Sequence, residues 1–336
     1  MTRTTPPRPL DVASVFPELA DMARTATRLH PRPGSPTVYD SSVGGPLLWP
    51  ADEPWASCSQ EHPVYRLNTP EEIRTLRRIL GDAWRRPRPP RTNLLSAEED
   101  AVVGRIHAGH PPELMPAGPH PLLPVAQLYA RDVPDLPCPG GTDLLQVLWC
   151  PFEDIEGCSQ AVQLRWRRAA DVTEVLADQP EPPYVGTDHH VPAPCVLHPE
   201  QVREYPAGHD MDEDLDRRLY RWAEERSLSY RGDLSVAPGW KVGGWAAPYT
   251  FRDPDEPDDL RCRECRAPTA PLLTVPSGEW DGESGSWRPL DDEPDEDAPP
   301  YPGPADPTMV SVGRGYTLQF YGCTRELRHL PVTVMQ

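Results

Sequence analysis

Two cysteines in the segment CREC, Cys262 and Cys265, have a spacing that lets one tight turn aim two thiolates at the same cation, as a tetrahedral zinc site requires. Further on, Cys323 ends the segment LQFYGC, and His329 follows six residues later. If the strands before these two segments are neighbours, Cys323 returns to the turn, and Cys262, Cys265, Cys323 and His329 can close a structural zinc site. His329 would serve equally well as an ordinary surface histidine. A looser set is Cys58 with His62, joined by Cys150 and Cys158. Here the step from Cys150 to Cys158 exceeds the usual knuckle, Asp154 offers a substitute ligand, and a metal-free remnant is an equal reading. Cys138 and Cys195 read as packed or exposed thiols. His189, His190, Cys195 and His198 form a further cluster in a loop-to-strand setting that does not favour a metal.

Both candidate sets end a repeated pattern. LQVLWC, Leu145 to Cys150, returns without a gap as LQFYGC, Leu318 to Cys323. Upstream, Val43-Gly44-Gly45 is matched by Val242-Gly243-Gly244, and PLLPV, Pro121 to Val125, by PLLTV, Pro271 to Val275. The order Val-Gly-Gly, cysteine, Pro-Leu-Leu-x-Val, Leu-Gln-x-x-x-Cys thus occurs twice, which reads as an internal duplication. A unit of this size is too small to bury a sheet face alone, so two units are expected to pack together. The glycine pairs suit turns with positive φ or close backbone approach. They do not suit phosphate binding, since neither leads from a strand into a helix.

The expected architecture is α+β and strand-dominated: two pseudo-repeat β-sheet units packed together, with peripheral helices and a helical insertion in the first unit. Residues 1–37 form an N-terminal helix and arm, with a helix expected over 16–29. Residues 38–190 form the first unit, interrupted by the insertion at about 63–120, and residues 191–336 the second. Thr69 with Glu72 and Ser96 with Glu99 are capping boxes that start two helices in the insertion. Asp210 to Glu213 starts another, with Leu215, Leu219 and Trp222 on its buried face. Strands are expected at Leu122–Tyr129, Leu144–Cys150, Val162–Arg167, Leu272–Pro276 and Tyr316–Gly322. The acidic, proline-rich tract at about 290–307 has too little apolar content to pack and reads as a mobile loop.

Proline accounts for 47 of 336 residues, far above the usual ~5%, which points to short strands and many turns. A net charge of -19 with a single lysine, Lys241, argues against general attachment to nucleic acid or anionic membrane. The chain has no run of ~18 apolar residues and its first residues lack a secretory leader, so a cytoplasmic protein is expected. In that compartment eight cysteines read as thiols or metal ligands rather than disulfides. Arg74 to Arg91 is locally basic, with seven arginines against Asp82, and is the one segment that could contact nucleic acid. A solvated helix face explains it better.

The segments SSVGGPLLWP, LLPVAQLYARDVP, GTDLLQVLWCP and KVGG resemble the bacterial YwqG-like family, a domain of unknown function, over most of residues 38–336. Their order, with cysteines after the strands, is also similar to the eukaryotic programmed cell death 2 proteins. That resemblance implies a zinc-containing protein of the cytoplasm and nucleus, acting as a chaperone for a small-subunit ribosomal protein. It carries over to Val43-Gly44-Gly45, Cys58, Cys150, Lys241 to Gly244, Cys262, Cys265 and Cys323, and implies no catalytic residue. The chain departs from the eukaryotic pattern in its 63–120 insertion and in having Cys58 and His62 where that pattern has a cysteine pair. A protein-binding chaperone or adaptor with one or two structural zinc sites and a basic protein client is therefore expected. The alternative is a zinc hydrolase whose first site, Cys58, His62 and Cys150, keeps an open coordination position.

Overall fold

The computed structural model describes residues 4–60, 62, 64–89, 91–152, 162–248, 260–292 and 301–336. Its strands, numbered in chain order, form two six-stranded antiparallel sheets and one short ladder. The first sheet runs β2 (Arg32–Pro33), β9 (Cys195–Val196), β3 (Ser42–Val43), β6 (Leu123–Tyr129), β7 (Leu144–Trp149), β8 (Val162–Arg167). The second runs β10 (Glu200–Glu204), β1 (Arg24–Arg28), β11 (Lys241–Gly243), β12 (Thr269–Pro276), β13 (Thr317–Cys323), β14 (Val332–Met335). The ladder pairs β4 (Ser57–Cys58) with β5 (His120–Pro121). Strands outnumber helices, and the class is α+β.

The two sheets have corresponding strand orders. Each Val-Gly-Gly strand, β3 or β11, is followed by a Pro-Leu-Leu strand, a Leu-Gln strand and an outer strand. On its other side each is flanked by a strand from elsewhere in the chain: β1, near the start, lies in the second sheet, and β9 lies in the first. The inner faces share one core, in which Val43, Val125, Val147 and Trp149 meet Val242, Leu273, Val275 and Phe320.

The buried glutamines explain why Leu-Gln and Val-Gly-Gly recur together. In the first sheet Gln127 Oε1 accepts from Leu48 N at 2.7 Å, and Gln146 Nε2 donates to Leu48 O at 2.9 Å and to Gln127 Oε1 at 2.9 Å. In the second, Gln319 Oε1 accepts from Thr274 Oγ1 at 2.8 Å and Ala247 N at 3.4 Å. Leu48 and Ala247 each stand five residues after the valine of their Val-Gly-Gly segment. A strand glutamine thus satisfies backbone groups of the segment that folds over the outer face, groups that would otherwise be buried unpaired. Gly44 and Gly243 both take positive φ, at 63° and 72°. At Gly44 a Cβ would lie 2.8 Å from Pro192 O, so both the turn and the close approach need glycine there.

The insertion contains α2 (Pro70–Arg85) and α3 (Ala97–Ala108), each begun by its expected capping box. They pack on each other through Leu76, Val103 and Ile106. Among the described residues they are attached to the body where Ile73 enters the main core, where Arg77 Nη2 donates to Asp188 O at 3.0 Å and Val191 O at 2.6 Å, and where Arg74 pairs with Glu181. Deleting Val64 to Gly118 and bridging the ends is therefore expected to leave a body that still unfolds in one cooperative transition, at a lower temperature. A calorimetric scan showing no transition in the deletion would refute this.

The helix expected over 16–29 is not formed. The chain makes α1 (Val12–Val15) and a 3-10 turn at Pro17–Met22, and then the strand β1, which pairs with both β10 and β11. Leu19, Ala23, Ala26 and Leu29 fit a helical stripe, but the β-branched Thr25 and Thr27 and two waiting sheet partners override that weak preference. Asp212 rather than Asp210 caps α4 (Glu213–Glu224), accepting from Asp214 N at 2.9 Å. Leu215 and Leu219 of α4 pack on Val12, Phe16 and Leu19. The middle of the acidic tract, 293–300, lies outside the described residues, while its ends are packed: Asp292 pairs with Arg32, and Glu279 N donates to Ala305 O at 2.7 Å.

His30, in the turn between β1 and β2, is fully buried, with Nε2 3.2 Å from Glu200 Oε2. Burial takes its pKa down to about 4, with Glu200 opposing and Arg28 and Arg32 adding to the shift. The unfolded chain takes up this proton near pH 6.5 and the native state only near 4, so stability falls as pH drops through that window. His30→Asn should remove about 2 kcal/mol of the loss between pH 7 and pH 5, read from urea unfolding at both. Equal losses in both proteins would show that His30 is not the group responsible.

Candidate metal centres

Both Leu-Gln strands end at a cysteine beside a cysteine-bearing turn. In the second sheet β12 and β13 are paired with Thr269 opposite Cys323, which places the Cys262–Cys265 turn, just before β12, against the end of β13. The turn is held by Cys262 N donating to Ala267 O and Arg266 N to Cys262 O, both at 2.9 Å, and Arg266 has φ 59°. Beyond β13 the chain turns back, with His329 N donating to Glu326 O at 3.1 Å.

The result is a four-donor group, Cys262, Cys265, Cys323 and His329, whose ligand atoms all lie within 4.8 Å of one another. Cys262 Sγ is 3.4 Å from His329 Nδ1, and Cys265 Sγ is 3.5 Å from Cys323 Sγ. A tetrahedral ion with ~2.3 Å sulfur and ~2.0–2.1 Å nitrogen bonds has edges of roughly 3.4–3.8 Å, so the group is close to the size it needs. The sulfurs are too far apart for a disulfide, whose bond is ~2.05 Å. Glu264 Oε2 is 3.9 Å from His329 Nε2, and Glu264 Oε1 accepts from Leu330 N at 2.7 Å. A carboxylate behind a ligating imidazole is the arrangement that fixes its orientation.

The local electrostatics suit a thiolate. Burial pushes the Cys323 thiol up, but the N–H groups of Glu326 and Arg325, His329 and Cys265 outweigh it and bring the group down to about 6. Hydrogen bonding to Cys323 raises the pKa of His329 against its partial burial. Cys265 moves up: the Ala267 N–H lowers it, but burial and the neighbouring Cys323 and Cys262 thiols prevail.

The first sheet has a related group of three described donors. His62 Nε2 is 3.3 Å from Cys58 Sγ and 3.3 Å from Cys150 Sγ, and the three ligand atoms lie within 4.8 Å of one another. Cys58 is on β4, Cys150 follows β7, and both are buried. Cys158 and Asp154, the expected completing ligands, lie outside the described residues. His120, overlooked in the sequence, faces Cys58 across the β4–β5 ladder, 6.5 Å from His62 between ring centroids, and its ring packs edge-on against Phe152. Burial, reinforced by His62, lowers its pKa. The only hint in the sequence was its position just before Pro-Leu-Leu, and that carries no ligand signal.

No family model matches the chain, and no curated protein does. Its chemistry therefore has to be read from its own residues. Either cysteine-histidine group could hold a metal ion. His189, His190, Cys195 and His198 do not converge into a metal group among the described residues. Cys195 is instead a buried β9 thiol whose Sγ donates to Pro307 O at 3.2 Å, and burial pushes its pKa up to about 12. Cys138 is half-buried against the main core.

In the basic segment, Arg74 pairs with Glu71 and Glu181, Arg85 with Asp82 and Arg86 with Glu99, while Arg77 bonds backbone carbonyls and Arg88 stacks on Trp84. These arginines are engaged within the molecule rather than held free for phosphates. No helix among the described residues is long and apolar enough to cross a membrane.

Proposed function

We propose that the protein is a zinc-stabilised, non-enzymatic binding protein of adaptor or chaperone type, acting in the cytoplasm on a basic protein client. The reading rests chiefly on the closure of the Cys262, Cys265, Cys323 and His329 group, in which side chains supply all four positions of a tetrahedral ion and leave none for substrate. Three thiolates with one imidazole select zinc over magnesium or calcium, which take oxygen ligands. The ion would fasten the Cys262–Cys265 turn to the end of β13. A net charge of -19 supports a basic client through long-range attraction, and the resemblance to the YwqG-like and programmed cell death 2 proteins points the same way.

The test has two parts. Inductively coupled plasma mass spectrometry of the purified chain should find at least one zinc, lost on thiol alkylation. Binding to a basic ribosomal protein should then weaken steeply with salt and persist in zinc-loaded protein only. Absence of zinc refutes the metal reading, and salt-independent or absent binding refutes the client.

A second reading is favoured by the three-donor group Cys58, His62 and Cys150 with His120 nearby: a hydrolytic zinc with one position open to water. Chelator-sensitive hydrolysis of p-nitrophenyl acetate that is abolished by Cys150→Ser, in protein that still melts cooperatively, would favour it over the first.

A further inference from the structure

The two Val-Gly-Gly segments differ in how they cover their sheets, and the second leaves an outer-face cleft beside it. Aligned on them, Leu47, Leu48 and Trp49 stand where the second half has Ala246, Ala247 and Pro248. Strand register adds a fourth pair. Gln127 lies opposite Ser42 and Thr274 opposite Lys241, each facing the residue before its Val-Gly-Gly. In the first half these large side chains fill the outer face: Leu47 and Trp49 sit in one apolar cluster, Leu48 packs on Tyr129, and Gln127 bonds Leu48 N. The one reversal, Trp245 opposite Pro46, does not fill the gap, because its indole donates to Met22 O and lies under Arg24.

What remains in the second half is a cleft of about 220 Å³, whose lining includes Thr274, Ala247 and Pro248. That is room for roughly seven waters and is smaller than a drug-sized pocket, so the natural occupant is a small metabolite. Three polar groups in its lining have no partner among the described residues. They are the Arg231 guanidinium, the Trp280 indole N–H and Gln336 Oε1. Gln336 is only 2% exposed, and its Nε2 is already committed to Ala247 O, so Oε1 is a buried acceptor with no donor. Such an atom costs about 1–3 kcal/mol unless something fills its need. The two rim carboxylates are already engaged: Asp281 accepts from Glu283 N and Ser284 N, and Glu283 from Ser229 Oγ. Arg231 is the cationic side chain of the lining, and it has no ion-pair partner among the described residues.

We infer that this cleft binds a small carboxylic acid that carries a hydrogen-bond donor at its other end, with the carboxylate on Arg231, the donor on Gln336 Oε1 and the body against Trp280. The site is independent of both metal groups, whose residues do not line it. The probe is 4-hydroxybenzoate, measured by isothermal titration calorimetry on the full chain. Benzoate, lacking the donor, and 4-hydroxybenzyl alcohol, lacking the charge, are the controls.

Saturable one-to-one binding is expected, at least about tenfold weaker for each control, as the loss of one charge-assisted or buried hydrogen bond predicts. Arg231→Gln should remove the preference for the carboxylate over the alcohol. Thr274→Gln, which copies the first sheet's filling, should block all three compounds, with thermal melts of both variants confirming that they fold. No saturable binding at millimolar concentration, equal binding of the controls, or binding unchanged in the two variants would overturn the inference.

Discussion

Replacing Cys262 with serine is expected to lose one equivalent of zinc and to lower the melting temperature by tens of degrees. Cys262 is buried, and its turn is held by two local backbone hydrogen bonds and by the edge of β12. Residues 260–268 are also tied to the end of β13 by Thr324 N and Oγ1, which donate to Pro268 O at 3.1 and 2.8 Å, by Leu330 N donating to Glu264 Oε1 at 2.7 Å and by Leu260 packing on Tyr321, so the ion adds to contacts already present. A structural zinc contributes on the order of 10–16 kcal/mol, as much as the whole stability of a typical domain at ~5–15 kcal/mol. Without the ion, three sulfurs and an imidazole remain crowded, with contacts at 3.4–3.5 Å, and only the mutual stabilisation of Cys323 and His329 opposes their separation. Cys150→Ser at the first group should do less, because only three donors are described there and Cys58 and Cys150 are packed in an apolar cluster with Leu47, Trp49 and Phe152. The check is zinc content alongside differential scanning calorimetry. Wild-type protein grown with excess zinc that carries no metal, with Cys262→Ser melting at the same temperature, would refute the account.

Lys241→Met is the second large effect. Lys241 and Glu204 are both fully buried, with Nζ 2.5 Å from Glu204 Oε1 and donating also to Trp245 O at 2.8 Å. Glu204 further accepts from Ala237 N at 2.9 Å and Trp245 N at 2.8 Å. The pair pins the turn after Val-Gly-Gly to β10, and Gly244 leaves room for it, since a Cβ there would lie 2.3 Å from Glu204 Oε2. Burial pulls the lysine pKa down, with Glu204 opposing. Removing the ammonium leaves the buried Glu204 without its hydrogen-bonded counter-charge, Arg28 being the cation that remains near it, and breaking such a pair costs about 3–5 kcal/mol. Adding Glu204→Gln to Lys241→Met should recover most of that, since the desolvated charge is then gone. Guanidinium unfolding of both singles and the double measures the coupling. A Lys241→Met cost below about 1 kcal/mol, or a double mutant as weak as the summed singles, would show that the pair is not what holds the turn.

β6, β7 and β8 of the first sheet and β12 and β13 of the second were legible where apolar content or alternation is strong, as in Val162–Arg167, which the structure forms with the same bounds. Capping boxes located α2 and α3 because the hydroxyl and glutamate act within four residues. What escaped was short or non-local. β2, β3 and β9 have two residues each, too few for any periodicity, and exist because a neighbour offers them a ladder. β1 was mistaken for helix because its partners lie far away in the chain. The four-donor group was legible because Cys-x-x-Cys fixes half of it locally and the repeated Leu-Gln strand brings Cys323 to the same end. Its Glu264 partner was not, since a carboxylate next to a cysteine has no distinctive spacing. Arg28, on β1 of the second sheet, and Glu279, just after β12, left no trace at all: charged residues are expected at the surface, and only the fold shows them buried.

The placement of β1 also governs timing. Arg28 pairs with Lys241, about 210 residues later in the chain. At a synthesis rate of ~5–20 residues per second, that partner emerges roughly 10–40 s after β1 does. For most of this interval the strand Arg24–Arg28, polar at four of its five positions, waits with two unpaired edges on a nascent chain whose second sheet has not been made. Ladders closed over such distances also form slowly once the chain is complete. β1 is thus translated first among the strands of its sheet, gains one edge partner when β10 emerges and the other only with β11, so the sheet cannot close around it until most of the chain has been made.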